Sequence, residues 1–359
     1  MGFTRVLAGL DITQPFLGPW ELERRRGRPF KARLGANECL FGVSPAALRV
    51  LSSRGAEIAL YSDPVNKALR DSIAGACGLS RDCVVIAEGI EGLLGLFARA
   101  FIDPGDVAVN SRGGYPSFDY YVRGCGGRLV HQPYLQSGHN DIDGLLDAAR
   151  RHDAKLLYLA NPDNPTGTLA GPTEIKRLLD GLPAGCVLLL DEAYVEFADP
   201  SAVLPTNETR SNLIRLRTFS KAYGLAGARV GYALAEPGLL AQVERIRHHF
   251  GVSKLSQEMA HAAFEDRDFL GRVVAETAKG IEDYKALAAR LGVTTLPGSG
   301  NFVAFDFGDA RTAKAVATRL DAHDILVRHV VEPPLDRLIR ITVGPQEARA
   351  YLTEILLKA

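Results

Sequence analysis

The chain has 359 residues, which is long for one hydrophobic core and suits two domains. Its 42 basic residues balance 42 acidic residues, which excludes a strong overall field that would recruit nucleic acid or an anionic membrane. We also see no apolar run near the roughly 18 residues that a membrane span needs, and no signal peptide at the start. We therefore expect no nucleic-acid partner and no membrane.

The five cysteines are too few and too scattered for a paired site. Their odd number and the absence of a CxxC pair argue against a disulfide framework and against a zinc site. The histidines have no metal-ligand spacing either, so we predict no metal. Free thiols are expected in a reducing compartment, and we predict a cytoplasmic location.

Short apolar runs alternate with helical patterns from about residue 83 onward. The first run, residues 83–87, predicts a strand, and apolar residues at helical spacing over 91–101 predict a helix. Alternating strands and helices are typical of an α/β fold with a mostly parallel central sheet and helices on both faces. The other strands predicted here are residues 107–109, 128–131, 156–160, 187–190, 213–216 and 229–234, with helices at 117–122 and 173–179 between them.

The pattern changes after residue 236. Helical spacing over 237–250 and 268–291 predicts two long helices. Shorter strands are predicted at 302–307, 325–328 and 338–343, which together indicate a smaller α+β domain.

These changes predict three parts of the chain. Residues 1–45 form an N-terminal segment that packs with the small domain. Residues 46–245 form the large domain, and residues 246–359 form the small C-terminal domain.

Polar residues follow three of the predicted strands where those strands end. In open α/β sheets, ligands bind at the carboxyl ends of the strands. Another polar residue opens the next strand of the series. One crevice could therefore collect Asn164, Asp191, Tyr194, Ser220, Lys221 and Arg229.

This set of side chains matches one ligand. Lys221 can form a Schiff base with an aldehyde, and Asp191 can pair with a protonated ring nitrogen. Tyr194 and Asn164 can hydrogen-bond a phenolate oxygen, and the serine and arginine of the set can bind a phosphate. Aldehyde, pyridine nitrogen, phenolate and phosphate together describe pyridoxal 5′-phosphate (PLP).

Three segments carry a resemblance to a known family. They are Asn-Pro-Asp-Asn-Pro-Thr-Gly at 161–167, Asp-Glu-Ala-Tyr at 191–194, and the run from Ser-Lys-Ala-Tyr to Val-Gly-Tyr at 220–232. In order and spacing they resemble the fold-type I, class I/II PLP-dependent aminotransferases. The chain is most similar to the histidinol-phosphate aminotransferase group, and the likeness covers nearly the whole sequence.

The resemblance implies further cofactor contacts. Tyr61 matches a tyrosine that reaches the cofactor phosphate of the neighbouring subunit, so a homodimer with shared sites is expected. Tyr115 matches the aromatic residue that stacks on the pyridine ring. The phosphate loop and the threonine before the lysine are matched by Gly89, Ile90, Glu91 and Thr218.

The resemblance also implies a substrate side and a reaction. Arg340 matches the arginine that takes the substrate carboxylate, with Asn37 and Asn301 near it, and Arg328 matches a second arginine that helps to read a phosphate. Lys221, Asp191 and Tyr194 would be the catalytic residues. We expect transamination of an amino acid or amino-phosphate with 2-oxoglutarate by a ping-pong mechanism, with Lys221 moving the proton.

Departures from the family pattern leave the substrate open. Cys39-Leu40 replaces an Asn-Pro pair, Ile90-Glu91-Gly92 replaces a Ser-Asp-Glu turn, and Phe16 replaces a tyrosine. An aminotransferase for aromatic or other amino acids, or a PLP-dependent decarboxylase of a phosphorylated amino acid, would carry the same cofactor residues. A PLP-binding regulator is disfavoured, because the chain lacks the length and the basic patch for a DNA-binding module.

Overall fold

Four α-helices and one strand, besides two short 3₁₀ turns, precede the central sheet in the part of the chain that a computed structural model describes, residues 2–10 and 17–358. α2 begins with a proline at its first turn and ends at Gly27, whose φ of 70° suits a left-handed helix terminus. Trp20 of α2 lies against Arg33, with 4.6 Å between the ring centre and the guanidinium carbon. The five elements are α1 (Arg5–Ala8), α2 (Pro19–Arg26), β1 (Ala32–Arg33), α3 (Pro45–Arg54) and α4 (Lys67–Cys77).

A seven-stranded sheet forms the centre of the described structure. Its strands are β2 (Val84–Ala87), β3 (Val107–Ser111), β4 (Arg128–Gln132), β5 (Leu156–Ala160), β6 (Val187–Asp191), β7 (Leu213–Thr218) and β8 (Gly231–Leu234). Their order is β2-β8-β7-β6-β5-β3-β4, and only the pairs that include β8 are antiparallel. The predicted mostly parallel sheet is therefore confirmed.

Helices cover both faces of this sheet. Along β5, Leu157 and Leu159 pack against the apolar residues of α7 and α8, whereas Tyr158 packs on the opposite side with α5 and α6. Burial on both faces explains why these strands read as continuous apolar runs. The helices are α5 (Gly89–Phe101), α6 (Ser117–Gly124), α7 (Ile142–Arg151), α8 (Pro172–Gly181) and α9 (Pro237–Val243).

A smaller antiparallel sheet follows, with the order β12-β13-β10-β9. The remaining elements are α10 (Lys254–Glu265), α11 (Arg267–Leu291), β9 (Thr294–Thr295), β10 (Phe302–Asp306), α12 (Ala310–Ala322), β11 (Ile325–Leu326), β12 (Arg328–His329), β13 (Leu338–Thr342) and α13 (Gln346–Leu357). α11, α12 and α13 pack against β10 and β13 around a shared apolar core. The early β1 pairs in parallel with β11, which ties the N-terminal segment to this region.

Two predicted elements differ from the structure. The helix predicted over 237–250 ends as α9 at Val243, and one tighter turn follows to Ile246. There the chain turns Arg247 inward, where its Nη2 donates to the carbonyl oxygen of Pro64 at 2.7 Å. The strand predicted over 325–328 is divided between β11 and β12, because these two pieces pair with different strands.

Among the described residues, no helix combines the length and the apolar character needed to cross a membrane.

Candidate active site

The carboxyl ends of β5, β6 and β7 form one edge of the central sheet. β6 ends at Asp191, and the register places Ala160, the last residue of β5, opposite it. β7 ends at Thr218, and Lys221 follows after a short turn. The carboxyl group of Asp191 and the amine of Lys221 therefore lie at the same edge of the sheet.

Lys221 provides the amine of this edge. Its Nζ lies 3.5 Å from the carbonyl oxygen of Ala36 and 5.7 Å from the centre of the Tyr194 ring. Burial lowers the pKa of Lys221 to about 8, and the charges of Arg340 and Arg229 act in the same direction. A substantial neutral fraction therefore exists near neutral pH, as a base or nucleophile requires.

Asp191 provides the acid and is almost fully buried. Its Oδ1 accepts a hydrogen bond from the backbone N–H of Ala193 at 3.0 Å, and its Oδ2 accepts one from the Tyr158 hydroxyl at 2.7 Å. Burial raises the pKa of Asp191 to about 6, against the opposing effect of these two hydrogen bonds. The carboxyl group is thus mostly ionised at pH 7 and can pair with a cationic N–H.

Tyr194 is held by a buried amide. The Nδ2 of Asn37 donates to the Tyr194 hydroxyl at 2.9 Å, while the Oδ1 of Asn37 accepts from the Thr342 hydroxyl at 3.0 Å. Phe302 packs edge-on against the Tyr194 ring, with 5.2 Å between ring centres. Burial raises the pKa of Tyr194 to about 12, so its hydroxyl stays protonated. Asn37 therefore links Tyr194, which follows β6 of the large sheet, to Thr342 on β13 of the small sheet.

Hydroxyl groups and an arginine form a cradle after β7. The Thr218 hydroxyl donates to Ser220 Oγ at 2.9 Å, and Arg229 Nη1 donates to the same Oγ at 3.3 Å. Arg229 has a left-handed backbone with φ of 53°, and its Nη1 also donates to the carbonyl oxygen of Ala226. A Cβ on Gly89 would lie 2.5 Å from Arg229 Nη2, so glycine leaves room for the guanidinium. This donor set suits a phosphate group.

The start of α5 faces the same cradle. No side-chain hydrogen bond caps this helix end in the described structure, so the first-turn N–H groups, including those of Ile90 and Glu91, are suited to an anion. The carboxylate of Glu91 turns away to accept from Ser117 Oγ at 2.7 Å and from the Tyr115 hydroxyl at 3.3 Å. Glu91 thereby orients Tyr115 by a side-chain contact.

Arg340 lies on the opposite wall, on β13. Its Nη1 donates to Asn164 Oδ1 and its Nη2 donates to the carbonyl oxygen of Gly35. Its Nε is buried and has no partner among the described residues. Burial lowers the pKa of Arg340 to about 10. An unpartnered donor on a buried cation points to a missing anionic ligand.

Two more predicted residues lie beside Arg340. Asn301 Nδ2 donates to the carbonyl oxygens of Asn37 and Glu38 at 3.1 and 3.3 Å, and its Oδ1 has no partner within the described part of the chain. Arg328 on β12 stands opposite Arg340 in the strand register, and its side chain is exposed. The small sheet thus presents two guanidinium groups side by side.

Two predicted residues are not brought into this group. The Tyr61 side chain is 86% exposed and lies against Phe250, with 5.1 Å between ring centres. Phe16 lies outside the described residues. The role predicted for Tyr61 needs a second subunit, and its exposure is compatible with that role.

Tyr158 and Thr342 were not predicted from the sequence. Tyr158 carries the one hydroxyl of β5, and this polar tip in an otherwise aliphatic run was the available signal. Thr342 could not be singled out, because its contact with Asn37 joins residues from opposite ends of the chain.

The geometry fits PLP as the ligand. The groups near Lys221 are an ionised acid, a phenol, a hydroxyl-and-arginine cradle and an uncapped helix start, and Arg340 Nε has no partner among the residues that the structure describes. The described residues contain no cluster of histidine, cysteine and acidic side chains that could hold a metal ion. The donor set therefore suits an aldehyde- and phosphate-bearing heterocycle.

Known proteins with similar sequences are aminotransferases. The profile of the aminotransferase class I and II family matches residues 31–356. A histidinol-phosphate aminotransferase of Roseiflexus castenholzii is 34% identical over 362 residues, which cover 98% of this chain and 96% of that protein. Another, of Maricaulis maris, is 34% identical and covers 90% of both chains.

A solved structure agrees in sequence and in shape. The histidinol-phosphate aminotransferase of Sinorhizobium meliloti, solved in complex with pyridoxal-5′-phosphate, is 41% identical. It superposes with a TM-score of 0.94 over 99% of this chain and 98% of that one. The order and packing of the elements described above are therefore those of a PLP-binding aminotransferase.

Proposed function

Because the chain belongs to the aminotransferase class I and II family and is a PLP-dependent aminotransferase, we propose that it acts on histidinol phosphate or a similar amino-phosphate. The observation that supports this substrate is the pair of arginines opposite each other on β13 and β12. We further propose 2-oxoglutarate as the amino acceptor. The two half-reactions would share one site and follow ping-pong kinetics.

Each part of the cofactor has a matching group in the site. Asp191 would keep the ring nitrogen protonated, and Tyr194 and Asn164 would hydrogen-bond the phenolate oxygen. Tyr115 would cover one ring face. The phosphate would be held by Thr218, Ser220, Arg229 and the N–H groups of Ile90 and Glu91, with Gly89 leaving room for the arginine.

The reaction would depend on Lys221 as a proton carrier. When bound, PLP supplies an aldehyde for the substrate amine and a ring that withdraws electrons from the substrate Cα. Lys221 would take the proton from Cα as a free amine and deliver it to C4′, the former aldehyde carbon of the cofactor, which the substrate nitrogen separates from Cα. Its pKa near 8 favours this task, because both the neutral and the charged forms are accessible near neutral pH.

Substrate orientation would come from the small sheet. Arg340, whose Nε has no partner among the described residues, would bind the carboxylate of glutamate in one half-reaction and the phosphate of the amino-phosphate in the other through paired hydrogen bonds. Asn37 and Asn301 would fix the wall on which Arg340 sits, because their amides link residues 37, 38, 301 and 342. Arg328 would contact the phosphate of the second substrate from the exposed side.

A half-reaction assay tests the proposal. Holoenzyme mixed with histidinol phosphate alone should convert its absorbance to that of the amine form of the cofactor, and 2-oxoglutarate should restore it with formation of glutamate. Phenylalanine provides the comparison for the aromatic alternative. A phosphorylated amino acid, with carbon dioxide release as the readout, provides the comparison for decarboxylation, because histidinol phosphate has no carboxyl group to lose. A clear preference for phenylalanine, or carbon dioxide as a product, would rule out the proposed substrate and reaction.

We also propose a homodimer in the cytoplasm. Tyr61 contacts Phe250, and both side chains are exposed. Ile58, Leu60 and Val65, which are near Tyr61 in the sequence, are exposed as well, and a second subunit could cover these side chains. In such a dimer Tyr61 would reach the phosphate cradle of the other subunit. All five cysteines are free thiols, as is usual in a reducing compartment.

A further inference from the structure

Tyr158 stands on the strand next to Asp191 and on the same face. The register pairs Ala160 with Asp191 and Tyr158 with Leu189, so Tyr158 lies diagonally across from the acid. It is 3% exposed and belongs to the apolar cluster that also contains Tyr194. A polar tip in such a place needs a partner, and Asp191 is the partner that it has.

The Tyr158 side chain is fixed as a donor. Its ring stacks on Phe118, with 4.8 Å between centres and 15° between planes. Its hydroxyl donates to Asp191 Oδ2 at 2.7 Å. Burial raises the pKa of Tyr158 well above its ordinary value, and the Asp191 charge acts in the same direction. The phenol therefore keeps its proton and has no competing ionised form.

Burial works against the ionised form of Asp191, so its donors decide its state. The Ala193 N–H and the Tyr158 hydroxyl each stabilise one carboxylate oxygen. The neutral acid would be unable to hold a pyridinium proton. The titratable groups that act on Asp191 from the surrounding elements are Tyr158, Lys221, Glu192, Tyr115 and Tyr194.

We infer that Tyr158 is a positioning residue for the reaction: its hydroxyl orients the Asp191 carboxylate and keeps it ionised for the ring nitrogen of the cofactor. This inference rests on the proposed function, in which Asp191 pairs with that nitrogen. Tyr158 touches neither substrate nor reacting atoms in this role. It acts through Asp191, from the side of the carboxylate that faces β5.

The test removes a single oxygen atom. Tyr158→Phe keeps the ring that stacks on Phe118 and deletes the donor to Asp191. Without that donor the carboxylate becomes more basic and takes the shared proton from the ring nitrogen. Nitrogen-15 NMR of enzyme loaded with ring-labelled PLP should show a smaller protonated fraction of the ring nitrogen at neutral pH than in the wild type, with the equilibrium between the two proton positions shifted toward Asp191 by roughly tenfold to a hundredfold, the effect of one hydrogen bond to a charged group.

A second buried tyrosine–aspartate pair provides the matched control. The Tyr134 hydroxyl donates to Asp163 Oδ1 at 3.0 Å, and Tyr134 is 5% exposed. Tyr134→Phe therefore removes a comparable bond from another carboxylate and should leave the nitrogen signal where it is in the wild type. Equal shifts in the two variants would mean general loosening of the site and would overturn the inference.

A third variant separates this inference from the proposed function. Asp191→Asn should abolish the pyridinium signal. If Asp191→Asn keeps that signal, the role of Asp191 in the proposed function is wrong. If Asp191→Asn loses it while Tyr158→Phe matches the wild type, only the role of Tyr158 is wrong.

A fluorinated tyrosine provides a second test if the Tyr158→Phe variant does not fold. Genetic incorporation of 3-fluorotyrosine at position 158 preserves the ring and the hydroxyl and makes the phenol a stronger donor. The nitrogen-15 signal should then lie closer to that of a fully protonated pyridinium than in the wild type, which is the opposite direction from the phenylalanine variant. A signal that moves away from the pyridinium position, or does not move, would contradict a donor role for Tyr158.

Discussion

Burial acts in opposite ways on the two ionisable groups at the sheet edge. It lowers the pKa of Lys221 to about 8 and raises that of Asp191 to about 6. Both values lie within about a unit of neutral pH, so each group can change its protonation state without a large free-energy cost. A lysine that carries a proton needs a pKa near neutral pH. A buried carboxylate that is to hold a ring proton needs hydrogen-bond donors that keep it ionised.

The lowered pKa of Lys221 predicts how the apoenzyme takes up PLP. Only the neutral amine attacks an aldehyde, so the rate of capture should rise with pH and level off above about pH 8. Stopped-flow absorbance after mixing apoenzyme with PLP measures this profile. Borohydride reduction followed by peptide mass spectrometry should then find the cofactor on Lys221.

Two variants complete this experiment. Lys221→Ala should give no reduced adduct, whereas Lys279→Ala, at a surface lysine of α11, should behave as the wild type. An adduct on a different lysine, or a capture rate that keeps rising to the ordinary pKa of a lysine, would contradict the assignment.

The two arginines of the small sheet predict different losses. Arg328→Ala should lower kcat/KM for histidinol phosphate by roughly tenfold to a hundredfold, the effect of a charge-assisted contact with phosphate. The same variant should leave kcat/KM for phenylalanine nearly unchanged, because that substrate has no phosphate. Steady-state kinetics with both substrates measures the difference.

Arg340→Lys serves as the comparison for Arg328→Ala. A lysine ammonium is a point charge and cannot reproduce a bidentate guanidinium, so KM should rise for glutamate and for the amino-phosphate together. If Arg328→Ala lowers kcat/KM equally for histidinol phosphate and for phenylalanine, Arg328 does not contact the substrate phosphate.

Motifs and side-chain chemistry predicted many, but not all, of the residues that the structure brings together at the sheet edge. Lys221, Asp191 and Tyr194 could be predicted because each follows a strand end within a recognisable segment. Tyr158 could not, since its role depends on the register between β5 and β6, and a sequence does not show which residue stands diagonally across a sheet.

The turn between β2 and α5 is the element that shapes the phosphate cradle. Gly89 has φ of 73°, a conformation that glycine adopts at no steric cost, and it begins the helix directly after the strand. The guanidinium of Arg229 fills the space that a Cβ would need. The backbone conformation of this turn and the proposed binding of the phosphate therefore depend on the same residue.

Gly89→Ala should accordingly weaken cofactor retention. The new methyl group would push Arg229 out of the cradle, and the Kd for PLP should rise about tenfold, as for loss of one contact to a charged group. Equilibrium dialysis with absorbance detection measures the Kd.

Gly78→Ala is the matched control. Gly78 ends α4 with φ of 67°, and a Cβ there meets no atom within 4 Å. Both variants carry the backbone strain of a left-handed alanine, on the order of 1–2 kcal/mol, and both should melt at a lower temperature. Only Gly89→Ala should lose PLP, and an equal loss in Gly78→Ala would refute the explanation.

The elements that were predicted well are those with a uniform environment. β5 and β6 are buried on both faces, so their apolar runs identified them. α10 was missed, although Met259, Ala263 and Phe264 follow helical spacing and pack against α3 and α4. The helix predicted over 237–250 failed where Arg247 bonds to Pro64, a tertiary contact that outweighs helical spacing.

Several large apolar side chains near Tyr61 are exposed to solvent in the single chain. Tyr61 and Phe250 are 86% and 54% exposed, and Ile58 and Leu60 near them in sequence are exposed as well. Large apolar patches on a surface usually mark contacts with another protein. The proposed dimer would remove this surface from water and bring Tyr61 to a site.

Mixed dimers test that arrangement directly. Tyr61→Phe should retain PLP less well, by one hydrogen bond to a charged phosphate of about 1–3 kcal/mol, and Lys221→Ala should be inactive. Refolding the two variants together should restore normal retention at one site per hybrid, because that site combines Lys221 of one subunit with Tyr61 of the other. Absence of recovery in verified hybrids, or a fully active monomer in light scattering, would contradict a shared site.

The contact between Trp20 and Arg33 gives the protein a built-in optical label. Trp20 is the single tryptophan of the sequence. It lies on α2 and packs against Arg33 of β1, the strand that pairs with β11. Fluorescence excited at tryptophan-selective wavelengths therefore comes from one known position. Its change on heating or in denaturant follows the detachment of this segment, while circular dichroism follows the large sheet, so the order in which the two regions come apart can be measured on the unmodified protein.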